Sequence, residues 1–156
     1  MPLKLKLVAH ESLIVNGAVL VNGEFRTSLI IRNFTHVMRE KDVLREADAN
    51  TPSRRLYFIV QTMLMQPPPS ASLMETYDEL LAQLRAAFVR PENLEILSRV
   101  DAQVGTGDYY KALASLQPLI AYEAGLLNID PHLWRRSPPS YSSAPRPTDS
   151  PAAASG

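Results

Sequence analysis

The sequence predicts an α+β protein: a small N-terminal antiparallel β-sheet or barrel, then about four amphipathic α-helices, then a disordered tail. Three observations carry that expectation. Apolar residues alternate at period two near the N-terminus, they recur at helical spacing through the middle, and from Arg135 onward Pro, Ser and Ala replace them. The 156 residues thus divide into a β-rich domain at 1–48, a helical region at 49–134 and a tail at 135–156. At 46% hydrophobic and 21% charged, the chain has enough apolar material to build a core outside the tail.

In the opening LKLKL, a strand directs Leu3, Leu5 and Leu7 inward and Lys4 and Lys6 to solvent. Residues 12–21 and 24–32 are two further β-rich runs, and Asn22-Gly23 between them matches a two-residue type I′ hairpin. Asn16-Gly17 is a second turn sequence, either another hairpin or a bulge within one longer strand. Residues 37–44 fit a short strand or a helical turn, and the β-rich neighbours favour the strand.

Thr51-Pro52 supplies a hydroxyl cap and a proline at the first helical position, and Leu56, Ile59, Val60 and Met63 then share a face, so a helix is expected over 51–65. Three prolines at 67–69 end it. Leu73, Tyr77, Leu80, Leu81, Leu84 and Phe88 give a second helix over 70–89. Pro91 restarts the chain, with Leu94, Leu97, Val100 and Val104 on the apolar stripe until Gly105-Thr106-Gly107 stops it. Asp108 caps a fourth helix carrying Leu113, Leu116, Leu119 and Ile120, with a kink expected at Pro118 and a stop at Gly125. The tail has few residues able to offset chain entropy by burial.

The absence of Cys excludes disulfides, thiolate nucleophiles and Cys-ligated zinc, and suits a reducing compartment. The N-terminus lacks the apolar core of a signal peptide, and no run is long and apolar enough to span a bilayer. A cytoplasmic protein with no membrane partner is expected. The net charge of zero is uneven: nine Lys/Arg against six Asp/Glu over 1–62, four against nine over 63–134, and three against one over 135–156. That distribution excludes a globally basic nucleic-acid binder while leaving room for a local basic stripe.

Phosphate-loop, dinucleotide, serine-hydrolase and HExxH fingerprints are all missing. His10, His36 and His132 are far apart, and acid pairs such as Asp78-Glu79 and Glu92/Glu95 fall on outer helix faces. No enzyme activity, no metal and no cofactor is expected. Tyr57, Phe58, Tyr77, Phe88, Tyr109, Tyr110 and Tyr122 scatter through the helical region, as core packing does.

Basic residues cluster near the strands. Lys4, Lys6, Arg39, Lys41, Arg54 and Arg55 are the candidate RNA-binding residues, with Arg26 and Arg32 nearby. The alternative is a solvated face: Arg39-Glu40-Lys41-Asp42 alternates in sign as surface ion-pair segments do. Arg54-Arg55 occupies a helix N-terminus, where cations are unfavourable, with Glu46 and Asp48 upstream as compensating acids.

MPLKLKL, SLIVNGAVLVNG, VMREKDVLREADANTPSRRLYF and GDYYKALASLQPLIAYEAGLL, in this order and spacing, resemble the FlbT family of alphaproteobacterial flagellar regulators over residues 1–127. The resemblance implies a non-enzymatic, post-transcriptional regulator that binds the 5′ untranslated region of flagellin mRNA and controls its translation or stability during flagellum assembly. It further implies FlaF, and flagellin itself, as protein partners. A second, local resemblance links Glu11–Val15 and Val37–Val43 to segments of the carbon storage regulator, a β-stranded RNA-binding dimer, and assigns RNA contact to Arg39. His10 and Met38 depart from that pattern.

Two function classes follow. One is an mRNA-binding regulator that grips phosphates around the sheet; the other is an interaction module or chaperone-like adaptor whose acidic helices dock flagellin, FlaF or an export component. A homodimer is suggested by the thin sheet, whose edges pairing between chains would protect.

Overall fold

The computed structural model describes residues 2–129; the tail expected at 135–156, and Trp134 before it, lie outside them. Five short strands come first: β1 (Leu3–Leu7), β2 (Ser12–Val15), β3 (Ala18–Val21), β4 (Thr27–Ile31) and β5 (Val37–Arg39). Two 3-10 turns, Glu40–Asp42 and Glu46–Asp48, lead into α1 (Pro52–Met65), α2 (Ala71–Ala87), α3 (Pro91–Gly105) and α4 (Tyr109–Leu127). This is the α+β order read from the sequence. The ambiguous stretch at 37–44 contains both alternatives, a three-residue strand and then a helical turn.

The strands form two antiparallel sheets, a β1-β4 ribbon and a three-stranded sheet ordered β3-β2-β5. The expected hairpin at Asn22-Gly23 does not form, because β3 pairs with β2 while β4 crosses to β1. The tight turn is at Asn16-Gly17 instead, where both residues have positive φ, 49° and 82°, as a type I′ hairpin requires. Gly17 is further constrained by proximity, since a Cβ there would lie 3.3 Å from the Met65 carbonyl oxygen at the end of α1. Asn22 is used differently. Its side-chain amide donates to the carbonyls of Val8 and Phe25, both at 2.8 Å, and so ties the β1–β2 turn to the chain entering β4.

Strand β2 explains the layering. Leu13 joins Leu5 and Val37 in a small core between the two sheets, while the next residue, Ile14, faces the helices with Met38 and Leu44. Buried on both sides, β2 reads as an unbroken apolar run rather than an alternating one. Ribbon residues Leu29 and Ile31 close the small core. The larger core gathers residues from α1 to α4, including Leu56, Val60, Met63, Tyr77, Leu97, Val100, Leu116 and Leu119, all essentially without solvent contact.

The helix ends follow their sequence signals. Thr51, Ser70 and Asp108 accept from the backbone N–H three residues on, capping α1, α2 and α4. Helix α4 passes through Gly125, the expected stop, and ends where Asn128 takes a left-handed conformation, with φ 55°. Pro118, which cannot donate to the Ala114 carbonyl, is accommodated on an exposed face of the helix, as is Ala114 itself. The acid that hydrogen-bonds the first turn of α1 is not one of those upstream, although Glu46 lines a cleft with Arg55. It is Glu123, whose buried carboxylate reaches from α4 to accept from Ser53 N at 3.0 Å. Asp48 instead pairs with Arg45 at 2.9 Å.

The link from sheet to helix is fixed by one side chain. Gln61 on α1 accepts from Leu44 N at 2.7 Å and donates to Leu44 O at 2.9 Å, satisfying both backbone groups of a buried residue. Gln61→Leu is therefore expected to cost about 2–4 kcal/mol in chemical denaturation, because both groups lose their partner in the interior. A loss below about 0.5 kcal/mol would show that water replaces the amide there.

Candidate nucleic-acid interface

The β1-β4 register, Lys4 opposite Ile30 and Lys6 opposite Ser28, puts both lysines on the outer face while Leu5 and Leu29 face the core. Arg26 and Arg32 are exposed one residue beyond each end of β4. Neither strand contains a carboxylate, and the nearest acid along β4 is exposed Glu24. Four cations thus surround an open, two-stranded surface, an arrangement suited to a phosphate backbone.

Arg39 sits behind that surface. Strand β5 points it between the sheets, where one guanidinium nitrogen donates to Glu11 Oε1 at 2.7 Å and to the Lys6 carbonyl at 3.1 Å. Its partner is therefore Glu11, not the adjacent Glu40 or Asp42, and the contact joins the three-stranded sheet to the ribbon. Val8 N donates to the other Glu11 oxygen at 2.9 Å. Exposed Lys41 acts on the same carboxylate through its charge. What Arg39 can offer a ligand is the remainder of its donor fork.

The α1 pair lies elsewhere. Arg54 is only 5% exposed, donating to Asn50 Oδ1 at 3.2 Å, whereas Arg55 reaches solvent beside Glu46 and Glu79 in a cleft between α1 and α2. The fold therefore brings Lys4, Lys6, Arg39 and Lys41 together around β1 and separates them from Arg54 and Arg55. The sequence places Arg26 and Arg32 in the basic set near the strands but not among the candidate RNA-binding residues. Their even-number spacing, 26 and 32 about 28 and 30, was a signal, but only the β1-β4 pairing connects it to Lys4 and Lys6.

Burial alone would raise the Glu11 pKa. The hydrogen bonds from Val8 N and Arg39, with the Arg39 and Lys41 charges, more than offset it and hold the carboxyl below its ordinary value. Among the described residues, no three His, Asp or Glu side chains gather as metal ligands would, and no helix is long and apolar enough to cross a membrane.

Fold and surface together define a small α+β protein with an exposed, lysine-bearing strand ribbon. The sequence profile described as "Flagellar protein FlbT" matches residues 3–127. A relative from Caulobacter sp. (strain K31), named a probable flagellum biosynthesis repressor protein FlbT, is 35% identical over 123 residues, covering 79% of this chain and 94% of its own. One from Rhodopseudomonas palustris (strain TIE-1), with the same name, is 34% identical over 128 residues, covering 82% and 99%. The Caulobacter vibrioides (strain ATCC 19089 / CIP 103742 / CB 15) relative, named flagellum biosynthesis repressor protein FlbT, is 34% identical over 123 residues, covering 79% and 87%. The chain belongs to the FlbT family of flagellar proteins. No solved structure matches it.

The depressed Glu11 pKa fixes a pH dependence. A carboxyl that is a stronger acid in the folded state contributes stability fully above its unfolded pKa, near 4.5, and loses it as pH falls through the folded value. Glu11→Gln should therefore melt below the wild type at about pH 7, with the difference shrinking as pH drops below about 4.5. A difference unchanged at about pH 3 would show that the charge of Glu11 contributes nothing.

Proposed function

We propose that this protein is a non-enzymatic regulator of flagellum biosynthesis that binds the 5′ untranslated region of flagellin mRNA and restrains its translation or stability during assembly. Repression is the sign that the relatives' names suggest. The observation that carries the RNA reading is the β1-β4 ribbon, with Lys4 and Lys6 on its outer face, Arg26 and Arg32 exposed just beyond the ends of β4, and no carboxylate on either strand. Lys41 extends the charge past β5, and Arg39 holds the ribbon against the rest of the sheet.

Phosphate contacts release counterions, so their loss is read in the salt dependence of affinity. For single-stranded leader RNA, replacing Lys4 and Lys6 by Ala should weaken binding and make the plot of log affinity against log salt shallower by about 1.4, or roughly 0.7 per lost contact. Fluorescence anisotropy across a salt series measures both. Unchanged affinity and slope in the folded double variant would place RNA, if bound, on another surface.

A homodimer belongs to the same reading. Strand β3, Ala-Val-Leu-Val, is an edge strand with every residue exposed, and it has none of the charges or prolines that normally protect such an edge. Antiparallel pairing of β3 with its copy would satisfy the free backbone groups and place two basic ribbons on one particle. Light scattering at micromolar concentration should give twice the 17.3 kDa chain mass for the wild type and a single chain mass for Leu20→Lys. A wild-type monomer would remove the dimer from the proposal.

A second reading is favoured by an apolar cleft of about 380 Å³ where α2 and α4 end, lined by Leu84, Phe88, Val89, Tyr122, Leu126 and Leu127. In that reading an amphipathic helix of flagellin or FlaF docks there, and regulation runs through protein contact.

A further inference from the structure

Beyond the end of β4, Arg32–Thr35 passes the first turn of α4 and leaves a cleft of about 460 Å³ lined by Leu3, Ile31, Arg32, Phe34, Tyr110 and Lys111. The volume is in the range of small-ligand sites. Phe34 at its wall is 75% exposed, although it is an aromatic residue in a protein with a well-filled core. The ring is nonetheless held. It stands edge-to-face with His36 at 5.5 Å between centroids, and His36 lies 5.4 Å from buried Tyr109, so a three-ring chain anchors Phe34 to α4. Most of a ring held in this way is thus presented to solvent at little further entropic cost.

The charges around the cleft point to its ligand. Arg32 and Lys111 are exposed at its rim, and Asp108 is the one acid lining it. That acid is already engaged, accepting from Lys111 N at 3.2 Å as the cap of α4 and lying 3.5 Å from Lys111 Nζ. Leu3 and Ile31 of the lining are themselves ribbon residues, paired in register and in phase with Leu5 and Leu29, so the cleft opens at the end of the ribbon's inner face, with Lys4 and Ile30 on the opposite face. An apolar slot with an exposed aromatic wall suits the flat face of a nucleobase, and the cations beside it suit the phosphates on either side.

We propose that this cleft takes one unstacked base of a single-stranded RNA, stacked on Phe34, while the flanking phosphates meet Arg32 and Lys111 at its rim. The inference rests on the RNA reading above and adds to it the place where a base, rather than the backbone, is held. A single strand offers such a base, whereas in a duplex both faces are covered by neighbours.

The test compares flagellin-leader RNA with an abasic ribose-phosphate oligomer of the same length, by anisotropy at low salt, on wild type, Phe34→Ala and Phe34→Trp. Phe34→Ala should weaken the base-bearing RNA by about 5- to 150-fold and leave both the abasic oligomer and the salt slope unchanged. Phe34→Trp should restore the affinity. Since the ring is mostly exposed, circular dichroism melts of the variants should match the wild type. Wild-type binding with unchanged affinity in Phe34→Ala would overturn the subsite, leave the RNA reading standing and assign the exposed ring to a protein contact. Equal weakening of both oligomers would also overturn it, since the ring would then act through the fold. A wild type that binds neither oligomer would overturn the RNA reading and the subsite together.

Discussion

Everything else in the structure depends on burying α1 from all sides. Leu56, Val60, Met63 and Leu64 have no solvent contact, and the helix is packed by α2, α4 and the β3-β2-β5 sheet in one continuous core. Such a helix must have its polar groups satisfied by partners distant in sequence. Glu123 supplies a carboxylate to its N-terminal turn across 70 residues, and Gln61 returns both hydrogen bonds of Leu44. These contacts fix where α4 lies and where the sheet begins. Tyr57 adds a third connection, its hydroxyl donating to the Asp42 carbonyl at 2.6 Å.

With its back on α1, the three-stranded sheet has one face left, and the β1-β4 ribbon covers it. The small core of Leu5, Leu13 and Val37 gives this layer limited apolar area, so the polar clasp carries more of the attachment. Arg39, Glu11 and the Lys6 carbonyl form that clasp at the point where the two sheets meet. A half-buried ion pair that also bonds backbone is worth more than an exposed one, typically about 1.5–3 kcal/mol per charged hydrogen bond. The ribbon's inner face around Leu5 and Leu29 is thereby committed to structure, and its outer face, with Lys4 and Lys6, is left exposed. The same arrangement accounts for the two roles assigned to Arg39. It holds the surface in place from behind, and only the unused part of its fork is available in front.

The helices were legible because their signals are local: Thr51-Pro52, Ser70, Pro91 and Asp108 mark the starts, and apolar spacing marks the buried faces. Strand pairing was not legible, because Asn16-Gly17 and Asn22-Gly23 are equivalent as turn sequences. The choice between them is made by contacts across the fold, with Asn22 bonded to Val8 and Gly17 fitted against Met65. Of the candidate site, Lys4 and Lys6 could be placed outward from period two alone. The Glu11 partner of Arg39 is 28 residues away, and the burial of Arg54 depends on how the first turn of α1 packs, so neither had a local signature. Phe34 gave no periodic signal either. Its one mark was to be a large aromatic in an otherwise polar stretch, Arg32-Asn33-Phe34-Thr35-His36.

The account's central claim is that the outer face of the β1-β4 ribbon is where RNA is met. The most direct measurement is a residue-resolved NMR titration of the whole protein with single-stranded flagellin-leader RNA. The account predicts amide shifts concentrated at 3–7 and 26–36, with the apolar cleft at the ends of α2 and α4 unaffected. Shifts confined to that cleft, with the ribbon unmoved, would contradict it.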